Sequence, residues 1–195
     1  MRMFLDNGVA EWILAISLFF VFSSVHAAGA PPAPVPKTGQ TTLYGAGDDG
    51  ALQKGLAWAT PRFSDMGDGT VRDTLTSLIW MKNANCWGDM AWLSALAKVA
   101  GLNGGTETCS GYTGNQTDWR LPSIKELRSL IDYGHFKPAL SAGYPFSGVQ
   151  TNYYWSGSTV ASGTSGAWVV SLDNGYVNDS DKTYSFYVWP VRGGP

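Results

Sequence analysis

The chain has 195 residues, with 13 Lys and Arg against 15 Asp and Glu, a net charge of -2, and only 14% charged residues beside 44% hydrophobic ones. Such a chain lacks the clustered basic face that nucleic acid requires, which excludes nucleic acid as a partner. Its length fits one domain.

The first residues carry an apolar run from Trp12 to Phe22 and a small-residue exit, Val25-His26-Ala27. That is the pattern of a cleaved secretory signal, and the run is too short to span a membrane. Residues 1–27 are therefore expected to be a signal peptide, leaving a mature chain with no transmembrane span. Its expected location is the periplasm, the cell surface or the extracellular space. Cleavage removes Arg2, Asp6 and Glu11 and leaves 12 basic and 13 acidic residues. No cysteine lies near the cleavage point, so nothing points to a lipid anchor. Residues 28–37, AGAPPAPVPK, form a proline-rich extended spacer, and residues 38–195 form the domain.

From Thr38 to Phe63 the chain is rich in Gly and Thr without a sustained period, which predicts loops and short strands. Asp68-Gly69 then lead into a short strand at Val71. Asp73 to Ser77 separate it from the run Leu78 to Met81, which reads as a hairpin. In DMAWLSALAKVAGLNGG the apolar residues Trp92, Leu93, Leu96, Val99 and Ala100 predict one buried helix face, with Gly101 and Gly104-Gly105 ending the helix. Cys86 and Cys109 flank this helix and are the only cysteines. In an oxidising compartment an even pair reads first as a disulfide; a reactive thiol pair is the alternative, without C-x-x-C spacing to support it.

In DWRLPSIKE, Ser123 and Glu126 have capping-box spacing, and Ile124, Leu127, Leu130 and Ile131 fall on one face of a second helix ended by Gly134. Trp119 is expected to pack at the start of that helix, and Arg120 to pair with a buried carboxylate or carbonyl. The final third alternates in strand fashion. Trp168, Val170 and Leu172 share one face and Tyr184, Phe186 and Val188 another, with Asn174-Gly175 as a hairpin turn in which both positions take positive φ. Seven of the nine tryptophans lie between Trp80 and Trp189, enough apolar volume for a core. The order of elements is that of an α+β fold: two helices packed on an antiparallel sheet and hairpins, stapled by one disulfide.

The blocks KTGQTTLYGAGDDGALQKG, GDGTVRDTLTSLIWMKNANC, DWRLPSIKELRSLIDY, YYWSGS and YVWPVRGG, in that order, resemble the Lcl C-terminal domain family, named for a collagen-like adhesin. The resemblance implies a C-type-lectin-like fold, a surface or secreted location, no catalytic activity, and glycosaminoglycan binding in the name-giving protein. Sulfated glycans favour clustered Lys and Arg, which this chain lacks. Two positions depart from the family pattern: Met66 stands where Asn is usual, and Ser77 where Gly is usual. If that Gly takes positive φ, serine there costs on the order of 1 kcal/mol.

The expected partner is a cell-surface or extracellular glycan, or an envelope protein, with adhesion as the role. Candidate ligand-binding residues are Trp155, Trp168, Tyr176, Asn178 and Asp179, because aromatic faces stack on apolar sugar faces beside carboxylate and amide groups. For the two tryptophans a place in the core is the competing reading. No cofactor is expected apart from calcium, for which Asp65, Asp68 and Asp73 are the candidate ligands around a glycine-containing loop; Asp-Gly turn formation is their ordinary explanation. His135 is the only histidine left after cleavage, so neither a histidine metal cluster nor a Ser-His-Asp set can be assembled with support. A formylglycine-generating type of enzyme, working through cysteines, is the nearest catalytic alternative.

Overall fold

The computed structural model describes residues 35–193. The signal-peptide expectation for residues 1–27 and the spacer up to residue 34 lie outside the described residues. The end of the spacer belongs to the domain. Pro36 forms a parallel bridge with Leu56, and the Lys37 amide donates to the Leu56 carbonyl at 3.0 Å.

Where the sequence predicts only loops and strands, Asp49–Leu52 forms a one-turn helix, α1, because the Asp48 carboxylate accepts from the Ala51 amide and caps it. The predicted hairpin is present as β2 (Thr70–Asp73) and β3 (Leu78–Met81), preceded by β1 (Phe63–Asp65). With β9 (Val191–Gly193) these strands make a four-stranded sheet in the order β1-β2-β3-β9. A second sheet, in the order β4-β8-β5-β6-β7, uses Asp89–Met90, Phe186–Tyr187, Tyr153–Thr159, Gly166–Ser171 and Val177–Asp181. The expectation of a purely antiparallel arrangement needs correcting, because β5 meets β8 in parallel at Tyr154 and Tyr187. The strand expected over Tyr184, Phe186 and Val188 shrinks to the two residues of β8, and Tyr184 is exposed.

Trp189 joins the two sheets. It lies between β8 and β9, packs edge-to-face on Trp80 of the first sheet at 5.7 Å and against Tyr154 of the second at 5.4 Å, and its indole donates to the Met81 carbonyl. Beneath the first sheet the Arg62 guanidinium is clamped by Asp73, with Nε and Nη2 donating to the two carboxylate oxygens at 3.1 and 3.0 Å. Both side chains are buried, and Asp73 also accepts from the Leu75 amide and the Thr76 hydroxyl, which fixes the β2–β3 turn.

The longest helix among the described residues, α2 (Trp92–Asn103), lies in the predicted segment but has a different buried face. Ala95, Val99 and Leu102 point into the core, whereas Leu93, Leu96 and Ala100 are exposed. The helix is turned by roughly a quarter of a revolution from the expected orientation. Its sequence is apolar on nearly every side, so periodicity alone does not select a face. Nor does Gly101 end it; the helix runs through to a cap at Gly104. Cys86 and Cys109 form the disulfide that staples the segments on either side of this helix.

The third helix, α3 (Ile124–Ser129), starts on the full capping box: the Ser123 hydroxyl accepts from the Glu126 amide at 3.2 Å, and the Glu126 carboxylate accepts from the Ser123 amide at 2.7 Å. It ends at Ser129, well before Gly134, and Leu130 and Ile131 follow it into the core. Trp119 is buried, its indole donating to the Tyr112 hydroxyl, while Asn103 accepts from its amide and donates to its carbonyl. Arg120 forms a bridge with Val191, and its guanidinium donates to both Glu126 oxygens at 2.7 Å and to the Gly193 carbonyl. Partial burial pushes the Glu126 carboxyl up, but the hydrogen bonds from Arg120 and Ser123 outweigh it and hold the group below the usual carboxylate range.

Candidate functional site

The candidate site lies at the β6–β7 hairpin and divides the residues that sequence reasoning grouped together. Register places Trp168 opposite Asp179 and Val169 opposite Asn178. Opposed residues share a face and neighbours alternate, so Trp168 and Asp179 lie on one face of the sheet and Asn178 on the other. Trp155 opposes Val169 and so lies on the face away from Trp168. It is fully buried, edge-to-face on Phe186, with its indole donating to the Met90 carbonyl at 2.8 Å. A tryptophan so enclosed offers no face to a sugar, and its place in the platform is corrected to a place in the core. Trp168 is half-buried; Tyr176, Asn178 and Asp179 are exposed.

The hairpin turn differs from the expected two-residue type. Only Gly175 has positive φ, at 80°, and the closing bond runs from the Ser171 amide to the Tyr176 carbonyl, so the loop has four residues. Glycine is needed for a second reason. A Cβ at Gly175 would lie 2.5 Å from Ile131 Cγ2 and 3.0 Å from a Tyr133 ring carbon, so the turn rests directly on the chain leaving α3.

That close approach makes a recess of about 400 Å³ lined by Arg128, Tyr133, Asn174, Gly175, Tyr176 and Val177. Arg128 is positioned by α3 and its Nε donates to the Tyr133 hydroxyl at 3.2 Å. The Asn174 side-chain amide oxygen accepts from the Tyr176 backbone amide, and its NH₂ makes no hydrogen bond among the described residues. Tyr176 is 56% exposed. The recess therefore presents two phenol rings beside guanidinium and amide donors, a combination that holds a flat polar ligand by stacking and by directed hydrogen bonds. Its volume is at the small end for ligand pockets. Of the sequence candidates only Tyr176 lines it. Arg128 and Tyr133 carried no sequence signal, because they are remote in the chain and are brought there by the packing of the turn.

The acidic candidates do not converge. In the β1–β2 register Phe63 opposes Asp73 and Asp65 opposes Val71, so the two carboxylates sit two rungs apart, and Asp73 is consumed by Arg62. Asp65 accepts from Lys82 at 2.6 Å and from the Gly67 amide; those hydrogen bonds, the Lys82 one foremost, lower its pKa. Asp68 accepts from the Thr70 amide and hydroxyl. Of the three expected calcium ligands, Asp65 and Asp68 thus hold turns and Asp73 is one half of a buried ion pair. Among the described residues no three His, Cys, Asp or Glu side chains are grouped to hold a metal.

The fold is that of a small disulfide-stapled α+β domain, with no helix among the described residues long and apolar enough to cross a membrane. The model of the Lcl C-terminal domain matches residues 69–192, and the chain belongs to that family. The match begins inside the second of the five sequence blocks; the segment Lys37–Gly55 precedes it. A comparison with curated proteins finds no match.

Proposed function

We propose that this chain is an exported, non-catalytic binding and adhesion module of the bacterial envelope that takes a glycan into the recess between Arg128, Tyr133 and Tyr176. The observation that carries the reading is the pairing of two tyrosine rings with guanidinium and amide donors in one concave surface. Membership of an extracellular-type family supports it. The reading includes a C-type-lectin-like fold, supported by the mixed architecture, the long antiparallel β5–β6–β7 ribbon and the disulfide. The absence of catalysis through thiols is supported by the engagement of both cysteines in that bond. Because Asp65, Asp68 and Asp73 are each engaged in turns or ion pairs, sugar binding is expected to need no calcium at that loop.

The test is a glycan-array screen of the exported, disulfide-bonded protein, run with calcium and with a chelator, beside Tyr176→Ala and Arg128→Ala. Binding that survives the chelator and falls about tenfold or more in either variant supports the proposal, since a stacked ring or charged hydrogen bond contributes on the order of 1.4 kcal/mol or more. No glycan retained by the wild type under either condition overturns it and leaves an envelope protein as the partner.

A further inference from the structure

The buried Arg62 guanidinium is committed on all of its nitrogens but one. Nε and Nη2 donate to Asp73, and Nη2 donates to the Ser129 carbonyl as well. Its central carbon lies 4.6 Å from the centroids of both the Trp58 and the Phe63 rings. Nη1 is buried and has no hydrogen-bond acceptor, although Arg62 as a whole is only 5% exposed. A donor stranded in this way is costly, and a partner that supplies an acceptor recovers the loss. The same residue lines a recess of about 310 Å³ between segments 58–61 and 141–144, walled by Trp58, Pro61 and Tyr144. Nη1 is the nitrogen that Arg62 has left for an occupant of that recess.

We propose that the recess binds a proline-rich peptide segment of a partner protein, the carbonyl before a proline accepting from Arg62 Nη1 and the pyrrolidine ring lying on Trp58 and Tyr144. Charge selects a neutral ligand. Asp73 already neutralises Arg62, so an anion would bury an unmatched charge, whereas a carbonyl adds none. Hydrogen-bonding capacity selects proline. Nη1 can only donate, and the amide before a proline can only accept, because it has a carbonyl and no N–H to leave unpaired in apolar surroundings. The Trp58 indole N–H is already given to the Lys37 carbonyl at 3.0 Å, so that ring has its face to offer. An aromatic-lined recess suits an extended proline-rich segment, which is ordered before it binds and so loses little entropy. Nη1 is closed to water as the recess stands; contact therefore requires a small shift of the Trp58 ring, which is half-buried and borders the recess.

A nuclear magnetic resonance titration of the full chain, with its disulfide formed, tests this. The probes are a short acetylated and amidated peptide of repeating Pro-Pro-Ala, the same peptide with every proline replaced by alanine, and N-acetylglucosamine. The proline peptide is expected to bind with a dissociation constant below about 1 mM, moving the Arg62 and Trp58 side-chain signals, and the alanine peptide to bind at least about tenfold more weakly. Ala142→Phe fills the recess from an exposed position. Its melting temperature is expected to stay close to that of the wild type while its affinity for the proline peptide falls at least about tenfold. Absence of binding by the proline peptide overturns the inference and leaves Nη1 to an ordered water. Equal binding of the two peptides overturns the choice of proline. Binding that Ala142→Phe leaves unchanged, or that leaves the Arg62 signals unmoved, overturns the site. N-acetylglucosamine moving these signals where the peptide does not makes the recess a sugar site and overturns the peptide assignment.

Discussion

Ser77 and Gly69 take the same left-handed conformation with opposite consequences, and exchanging their residue types tests the backbone reasoning. Ser77 has φ of 61° and is exposed; the turn around it is held by Asp73, which accepts from Leu75 and Thr76. A side chain in this region costs roughly 1–2 kcal/mol, while glycine loosens the unfolded chain by about 0.4–1 kcal/mol. Ser77→Gly is therefore expected to stabilise by about 0.5–1 kcal/mol, raising Tm by about 1–4 °C for a domain of this size. Gly69 has φ of 84°, and a Cβ there would lie 2.2 Å from the Gly111 carbonyl oxygen and 2.5 Å from Tyr112 Cα. Strain and backbone displacement then act together, and Gly69→Ala is expected to cost at least ~3 kcal/mol, on the order of 6–12 °C in Tm. Calorimetry on the oxidised proteins measures both. A lower Tm for Ser77→Gly, or a Gly69→Ala protein within about 0.5 kcal/mol of wild type, would refute the argument that positive φ and close approach govern these two positions.

Removing one partner of the buried Arg62–Asp73 pair strands the other: Asp73→Asn is expected to lose about 3–5 kcal/mol in denaturant titrations, and the double variant Arg62→Met, Asp73→Leu to recover part of it. Reducing the Cys86–Cys109 bond, which closes a sequence separation of 23 residues, is expected to lower the unfolding free energy by about 3.4 kcal/mol in the same titration with and without reductant. Glu126, with its pKa held below the ordinary glutamate value, stabilises the fold above about pH 4.3, and that contribution is lost as pH falls through the lowered folded value. Glu126→Gln is accordingly expected to be less stable than wild type near pH 7, with the gap narrowing in acid; a gap that stays constant down to about pH 2 would rule out this linkage.

Local chemistry fixed in advance those features whose partners lie close in the chain. Ser123 and Glu126 bond across one helical turn, the β2–β3 turn is tied by Asp73 to residues two and three positions on, and Gly175 is required by its own φ. The disulfide was legible for a different reason, since the sequence has two cysteines and a leader pattern that leads one to expect an oxidising compartment. What the sequence left open were choices between apolar surfaces of similar composition. Trp155 and Trp168 are alike in sequence context, yet only Trp155 lies on the face that meets Phe186 and Met90, so one is enclosed and the other half-exposed. The buried side of α2 was likewise decided by the neighbours that its residues meet. The recess depended on tertiary structure most of all: Arg128 and Tyr133 come to Tyr176 only because a glycine turn can rest on Ile131 without a Cβ between them. Periodicity reports that a residue is apolar and which neighbours share its face, whereas burial and convergence are set by packing between segments far apart in the chain.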